Sequence, residues 1–514
     1  MKDNKRIGIM DIGSNSIRLV IFETNKNGGY RALHESKESA RLSEHIQEDG
    51  TLSTKAMESV ASILIQYHRI CETYQVHDIR VGATAAIRNA TNSEAIAALL
   101  HTKTGLKIDV LSGEEEAYFG FLGVINSLDV EDGLLIDIGG GSTEITLFEN
   151  RKLLHSISLP FGAVNTNLKF GKKSGDWQED QMEALVSYVQ NALENHPWIA
   201  SKPNLTMIGL GGTIRALGKM DQKNRKYSLP STHHYAMGKE TIVDYYKTLP
   251  LIPLEQRKRI PGLSKQRTDL IVPGLIIFHT VFKFAQAKEC MISGAGLREG
   301  MLHHWLRPEQ PVEENLAVST VESILGFESN LLRPHLEHVY KMATMLYKKL
   351  ENNYEYEDED EVSHKKLLYV SSMLYKIGTR INYYQFETHT MYWLLNAPLR
   401  GFSHREIVLS SLISSYNTKS RKQKLSIPYK DILLASDEDL IHRLGSLLKL
   451  CTAMDQSETQ IIDHATAEYD QGILTLNLHS SGEAILEKRE IESAAKVFTK
   501  SWDVKLQIHY SSTC

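Results

Sequence analysis

Apolar and polar positions along the chain follow two regimes that change over near Leu306. In the first, short β-rich runs alternate with stretches of helical period. Ile7–Met10, Ile79–Gly82, Lys107–Leu111, Leu134–Ile136 and Thr206–Ile208 read as strands. Met57–Tyr74, Ser93–Thr104 and Gln181–Asn195 carry apolar residues at helical spacing. Such alternation predicts mixed α/β domains. Pro308 and Pro311 then mark a linker. From Glu313 to about His464 the period is helical, over Leu336–Leu350, Lys365–Lys376, Glu406–Tyr416 and Asp439–Met454. The acidic run Glu355–Glu361 reads as a solvated loop between two of these helices. At the end of the chain, Gly472–Leu478 and Val504–Tyr510 alternate and Ile485–Ser501 is helical, which predicts a small β/α cap.

One pattern occurs twice. Asp11–Glu23 reads DIGSNSIRLVIFE and Asp137–Glu149 reads DIGGGSTEITLFE, identical at six of thirteen positions. Each copy follows an apolar run and precedes a second β-rich run, so each predicts a β-hairpin with a Gly/Ser turn at its tip. A hairpin shared by two α/β lobes predicts a duplicated fold with a cleft between the lobes.

The turns themselves carry candidate chemistry. Gly13, Ser14, Asn15 and Ser16 in the first copy, and Gly139, Gly140, Gly141 and Ser142 in the second, combine bare backbone N–H groups with short donor side chains. Successive N–H groups in a tight turn bind anions. A third loop, Gly209–Thr213, lies between a strand and a helix opening near Ile214, so Gly211, Gly212 and Thr213 sit at a positive helix end. Asp11 and Asp137 precede the glycines at matching positions and would repel a phosphate unless a hard cation such as Mg²⁺ intervened. Glu144 stands where the first copy has Arg18 and is a second metal candidate. Ser112–Ala117 places Glu114, Glu115 and Glu116 at a helix start, where acids commonly serve as dipole partners and one is a candidate base. Arg18, Arg88 and Arg298 are candidates for neutralising phosphate charge.

Composition narrows this picture. A chain of 514 residues exceeds one compact core, and 42% hydrophobic with 24% charged residues is ordinary for a soluble globular protein. The net charge of −5 gives no global basic field for nucleic acid, so no DNA partner is expected. Cys71, Cys290, Cys451 and Cys514 are scattered and read as reduced thiols. The N-terminus is a poor signal peptide, and the apolar stretch at Ile271–Phe278, broken by Pro273 and Gly274, is too short to span a bilayer. A cytoplasmic protein without membrane insertion is expected.

Taken together, DIGSNSIRLVI (11–21), VGATAAIRNATN (81–92), LSGEEEA (111–117), IDIGGGSTE (136–144), IGLGGT (208–213), RTDLIVPG (267–274) and SGAGLREG (293–300) resemble the exopolyphosphatase / guanosine pentaphosphate phosphohydrolase family, in the family's order. HLEHVYKMA (335–343) and NAPLRGFSHRE (396–406) resemble the helical domain of its long members. The resemblance implies two actin-like, ribonuclease H-like lobes (1–125 and 126–306), a helical HD-like domain (312–465) and a small α+β C-terminal domain (466–514). It implies Mg²⁺-dependent, processive removal of the terminal phosphate of inorganic polyphosphate, with a monovalent cation such as K⁺ as a further cofactor, and a homodimer. It implies that Glu116 activates water, that Asp137, Gly139 and Glu144 match metal and phosphate positions, and that Ser14, Asn15, Arg18, Arg88, Gly140, Gly141 and Ser142 contact phosphate.

One departure stands out. Where the family's helical domain carries His-Asp or His-Glu before an I/V-G, this chain reads Leu374-Tyr375-Lys376-Ile377-Gly378. Tyrosine and lysine cannot reproduce a histidine–carboxylate metal site, so that domain is expected to bind polyphosphate or form a dimer, not to hydrolyse. Lys419–Lys424 and Arg257–Arg267 are candidate basic tracks for a polyanion. The competing functions are a guanosine pentaphosphate 5′-phosphatase of the stringent response, an actin-like sugar kinase or ATPase, and a non-enzymatic polyphosphate or nucleotide sensor.

Overall fold

The computed structural model describes residues 4–26, 28–172, 175–328, 330–353, 362–417 and 424–512. The acidic run Glu355–Glu361, Cys514 and, within the Lys419–Lys424 track, Lys419, Arg421 and Lys422 lie outside these residues. The chain divides into two compact units, Met1–Leu316 and Ala317–Cys514.

The first unit contains two sheets, and the repeated sequence opens each. In the first sheet β1 (Lys5–Ile12), β2 (Ser16–Thr24) and β3 (Tyr30–Ser39) form an antiparallel meander, joined by β4 (Asp78–Ala83) and β5 (Ile108–Val110) in the order β3-β2-β1-β4-β5. In the second, β6 (Gly133–Ile138), β7 (Thr143–Glu149) and β8 (Lys152–Leu159) repeat the meander. With β9 (Thr206–Leu210), β10 (Ala236–Gly238) and β11 (Glu289–Ile292) the order is β10-β11-β9-β6-β7-β8. The duplication holds at register level: Asp11 faces Arg18 across the first hairpin and Asp137 faces Glu144 across the second. Both tips close with the same bond, Gly13 N–H to Ser16 O at 3.2 Å and Gly139 N–H to Ser142 O at 3.0 Å. This is the duplicated α/β architecture that the repeat predicts.

The expected helices are present at Thr54–Thr73, Ser93–Thr104 and Glu179–Glu194. The apolar stretch interrupted by Pro273 and Gly274 is also a helix, Ile271–Phe284. Pro273 is its third residue, where a missing N–H removes no intrahelical bond. A Cβ on Gly274 would overlap Thr213, so the glycine lets this helix lie against the third loop. Among the described residues no helix is long and apolar enough to cross a membrane.

Two helices pack against the sheet that chain order would not assign to them. Gly113–Ile125 follows the first sheet, yet Phe121, Leu122, Val124 and Ile125 bury against Leu135, Phe148, Ile208 and Leu210 of the second. Leu297–Leu306 follows the second sheet, yet Leu302 buries against Ile7, Ile9, Val20 and Phe22 of the first. The two helices meet at backbone contact: a Cβ on Gly300 would overlap the Phe119 carbonyl, and one on Gly123 would overlap the carbonyl of Gly296.

In the second unit, helices Arg333–Leu350, His364–Leu374, Phe386–Asn396, His404–Ser414 and Asp437–Ala453 match the helical regime closely. The terminal part adds β12 (Ile462–Asp470), which the sequence reading does not contain, then β13 (Ile473–Ser480), helix Ile485–Trp502 and β14 (Lys505–Ser512). β12 is mostly exposed, with only Ile462 and Ala467 buried, so its apolar pattern is faint. The terminal helix is anchored on Asp437–Ala453, where Trp502 Nε1–H donates to Arg443 O at 3.0 Å.

Candidate active site

A cleft of about 150 Å³ lies in the first unit, and every residue lining it falls between Asp11 and Glu299. The two hairpin tips face each other across it. A Cβ on Gly141 would lie 2.9 Å from Ser14 Oγ, and one on Gly140 would lie 3.0 Å from Ser14 Cβ and 3.3 Å from Asn15 N. Only glycine permits this approach, which concentrates N–H groups around a space of phosphate size. The third loop closes the floor. Gly211, at φ +83°, sets the turn from β9 into helix Gly211–Arg225, and its N-terminus opens on the cleft with Gly212 and Thr213.

Of the candidate residues, Asp11, Gly13, Ser14, Asn15, Arg18, Glu116, Asp137, Gly139, Gly140, Ser142, Gly211, Gly212, Thr213 and Arg298 line the cleft together. Gly141, Arg88 and Glu144 stand just behind that lining. Gly141 presses on Ser14, and Arg88 and Glu144 belong to a chain of hydrogen bonds that reaches Glu116.

That chain sorts the glutamate triplet. Glu115 completes a capping box with Ser112: Glu115 N–H donates to Ser112 Oγ at 3.1 Å, and Ser112 N–H donates to Glu115 Oε2 at 2.8 Å. Glu114 is exposed. Glu116 turns into the cleft, where Arg88 Nη1 donates to its Oε2 at 2.7 Å and to Leu111 O at 3.0 Å. Arg88 Nη2 reaches Ser158 Oγ at 3.4 Å, and Ser158 Oγ–H donates to Glu144 Oε1 at 2.7 Å. Burial pushes Glu116 up to about 7 against the opposing pull of Arg88, with Asp137 and Asp11 adding to the rise. Glu144, 2% exposed, is pushed well above the usual carboxylate range by burial and by Glu116 and Asp137.

Asp11 and Asp137 differ from these two. Neither carboxylate has a hydrogen-bond or ion-pair partner among the described residues, though both face the cleft. Burial lifts Asp137 to about 6 and raises Asp11 while arginines pull both down. Two unpartnered carboxylate groups beside an anion cradle have the hard-oxygen chemistry of a Mg²⁺ site. Among the described residues no three His, Cys, Asp or Glu side chains converge as a complete metal cage.

Two arginines on the lining were not among the candidates for this site. Arg215 is the fifth residue of the helix that opens at the third loop, so the expected helix start was the signal that could have found it. Arg267 ends the short turn Lys265–Arg267, and a Cβ on Gly212 would overlap its guanidinium. Arg267 was expected only as the end of a basic track and the first residue of the RTDLIVPG stretch. Arg257, from the same stretch, is fully buried and structural: Nε donates to Ile252 O at 2.7 Å, and Nη1 to Gly175 O at 3.1 Å and Thr268 O at 3.3 Å.

In the second unit, Tyr375 and Lys376 occupy the stretch that departs from the family pattern. His335 Nδ1 lies 2.7 Å from Asp455 Oδ2 and its Nε2 meets the Tyr375 hydroxyl, so both ring nitrogens are engaged. Lys376 pairs with Glu458.

The comparisons with known proteins identify a family. Residues 20–309 match the model of the Ppx/GppA phosphatase family, and residues 330–494 match that of Ppx/GppA phosphatase, domain III. A guanosine-5′-triphosphate,3′-diphosphate pyrophosphatase of Photobacterium profundum is 27% identical over 480 residues, 91% of this chain and 90% of that protein. A bifunctional 3-dehydroquinate synthase/phosphatase of Fusobacterium nucleatum is 29% identical over 55% of this chain and 44% of its own length. The crystal structure of the Aquifex aeolicus Ppx/GppA family member superposes with TM-score 0.52 at 28% identity, over 60% of this chain and 99% of that one. An exopolyphosphatase structure from Cytophaga hutchinsonii does so with TM-score 0.56 at 22% identity, over 60% and 100%, a likeness of fold.

Proposed function

The chain belongs to the Ppx/GppA phosphatase family, hydrolases of phosphoanhydride bonds, and on that premise we propose that its cleft removes the terminal phosphate of inorganic polyphosphate. The observation that carries the reading is the pair of facing glycine tips with Glu116 beside them, in a lining that holds arginines but, among the described residues, no aromatic ring on which a base would stack. The terminal phosphate is taken between the Ser14–Asn15 and Gly139–Ser142 tips, with Arg18, Arg215, Arg267 and Arg298 around it. Glu116, poised near neutrality, takes the proton of a water as the water oxygen bonds to the terminal phosphorus. The bridging P–O bond breaks, and the shortened chain leaves with the bridging oxygen. Glu116 then returns its proton to solvent. Arg88 fixes the orientation of Glu116. Because the transferring phosphoryl group asks for little covalent help, positioning and charge carry the rate. Asp137 and Asp11, with Glu144 behind them, would hold Mg²⁺, which would supply positive charge to offset that of the phosphate.

Guanosine pentaphosphate is the second reading. It is supported by the Photobacterium relative, matched over nine-tenths of its length and carrying that activity in its name. The same loops suit its terminal phosphate. Phosphate release from long polyphosphate and from guanosine pentaphosphate, side by side with Mg²⁺, separates the two. Glu116→Gln is expected to lower kcat by about 10²–10⁴-fold on the true substrate. A base must be ionised to act, so kcat/KM of the wild type rises with pH through about 7, and this limb disappears in the variant. Equal rates for wild type and variant would remove Glu116 from the mechanism.

A further inference from the structure

The outer strand of the first sheet carries charges that the terminal-phosphate site does not use. Across the sheet, Asp11 on β1 faces Arg18 on β2, and Arg18 faces Lys37 on β3. This row leads from the cleft to the sheet edge. Glu35, two residues from Lys37 and so on the same face, accepts a 2.9 Å bond from Nη1 of the cleft residue Arg298. The β3 face is therefore part of the cleft rim.

These cations have carboxylates nearby but no direct contact with them. Arg18, Lys37, Arg215 and Arg267 make no ion pair among the described residues; Arg18 reaches only Ser16 Oγ and Arg215 only Gly294 O, each at 3.5 Å. Like charges directly opposed on neighbouring strands are unfavourable. Partial burial and the nearby Arg18, Arg267 and Arg215 hold the Lys37 ammonium below its usual range. Lys37 keeps contact with solvent, and its row, its face and its electrostatic neighbours all belong to the cleft.

We propose that Lys37, next to the Arg18 and Arg267 that meet the terminal phosphate, holds the phosphates that follow it, making β3 a ramp along which a polyanionic chain leaves the cleft. Glu35 is the counterweight: its carboxylate occupies Arg298 until the chain arrives and competes for that guanidinium. The proposal rests on the cleft being a phosphoanhydride hydrolase. It adds a chain-length subsite, which a substrate of two or three phosphates fills poorly.

The experiment compares KM for long-chain polyphosphate and for tripolyphosphate in the wild type, Lys37→Ala and Glu35→Gln. Lys37→Ala is expected to raise KM for the long chain by about fivefold, to raise it less for tripolyphosphate, and to flatten the salt dependence of long-chain KM. Glu35→Gln is expected to lower long-chain KM. An equal change on both substrates in Lys37→Ala, or none, overturns the ramp. A rise in KM in both variants also overturns it, since opposite charges must act in opposite directions. If the wild type releases phosphate from neither substrate, it is the functional reading that falls. Release from both with Lys37→Ala unaltered removes the ramp alone.

Discussion

Glu116 shows how a residue's role is set by what its neighbours leave to it. Three consecutive glutamates open one helix; Glu115 is consumed by the capping box, Glu114 is exposed, and only Glu116 enters the cleft. Its sequence neighbours made it a candidate, and the family resemblance chose it, but its chemistry comes from burial and from Arg88. Ser158 is the residue that sequence reading had no reason to single out. It ties Glu144 to Arg88, and a Cβ on Gly113 would lie 2.5 Å from its own Cβ, so the glutamate helix is seated directly on β8. Ser158→Ala removes the donor that orients Glu144. The expected outcome is a rise of about tenfold in the Mg²⁺ concentration for half-maximal phosphate release. An unaltered Mg²⁺ titration would mean that Glu144 is not part of the metal site.

Among the elements, the two helices Gly113–Ile125 and Leu297–Leu306 carry most consequence. One brings Glu116 and the other Arg298, and each buries its apolar face on the sheet remote from it in sequence. Their glycines allow backbone contact where the helices meet. Gly300→Ala would press a methyl group on the Phe119 carbonyl. Overpacking of this kind costs about 1–3 kcal/mol, so calorimetry of the variant should show a Tm several degrees lower, with phosphate release reduced as Glu116 shifts. A Tm equal to that of the wild type would contradict such close packing. These glycines were legible in the sequence only as parts of motifs. What they pack against depends on which sheet each helix covers, and apolar periodicity marks a buried face without naming its partner.

At the scale of the whole molecule, the division into units places all cleft residues before Leu316. Residues 1–316 alone are therefore expected to fold and to release phosphate from tripolyphosphate, measured by inorganic phosphate appearance with Mg²⁺. A folded but inactive fragment would show that the second unit supplies part of the site. Much of this was fixed by the chain itself. A repeated Asp-Ile-Gly hairpin forces two similar sheets, because alternation, tight-turn glycines and apolar flanks are local properties. The helical second unit follows from its period in the same way. Only the tertiary structure brought the two tips face to face, gave Arg215 and Arg267 a place on the cleft, buried Arg257 as a structural group, and left Asp11 and Asp137 without a hydrogen-bond or ion-pair partner among the described residues. Those outcomes are sums over residues far apart in sequence. A charge is a ligand-binding group or a buried strut according to what surrounds it, and a linear chain does not state its surroundings.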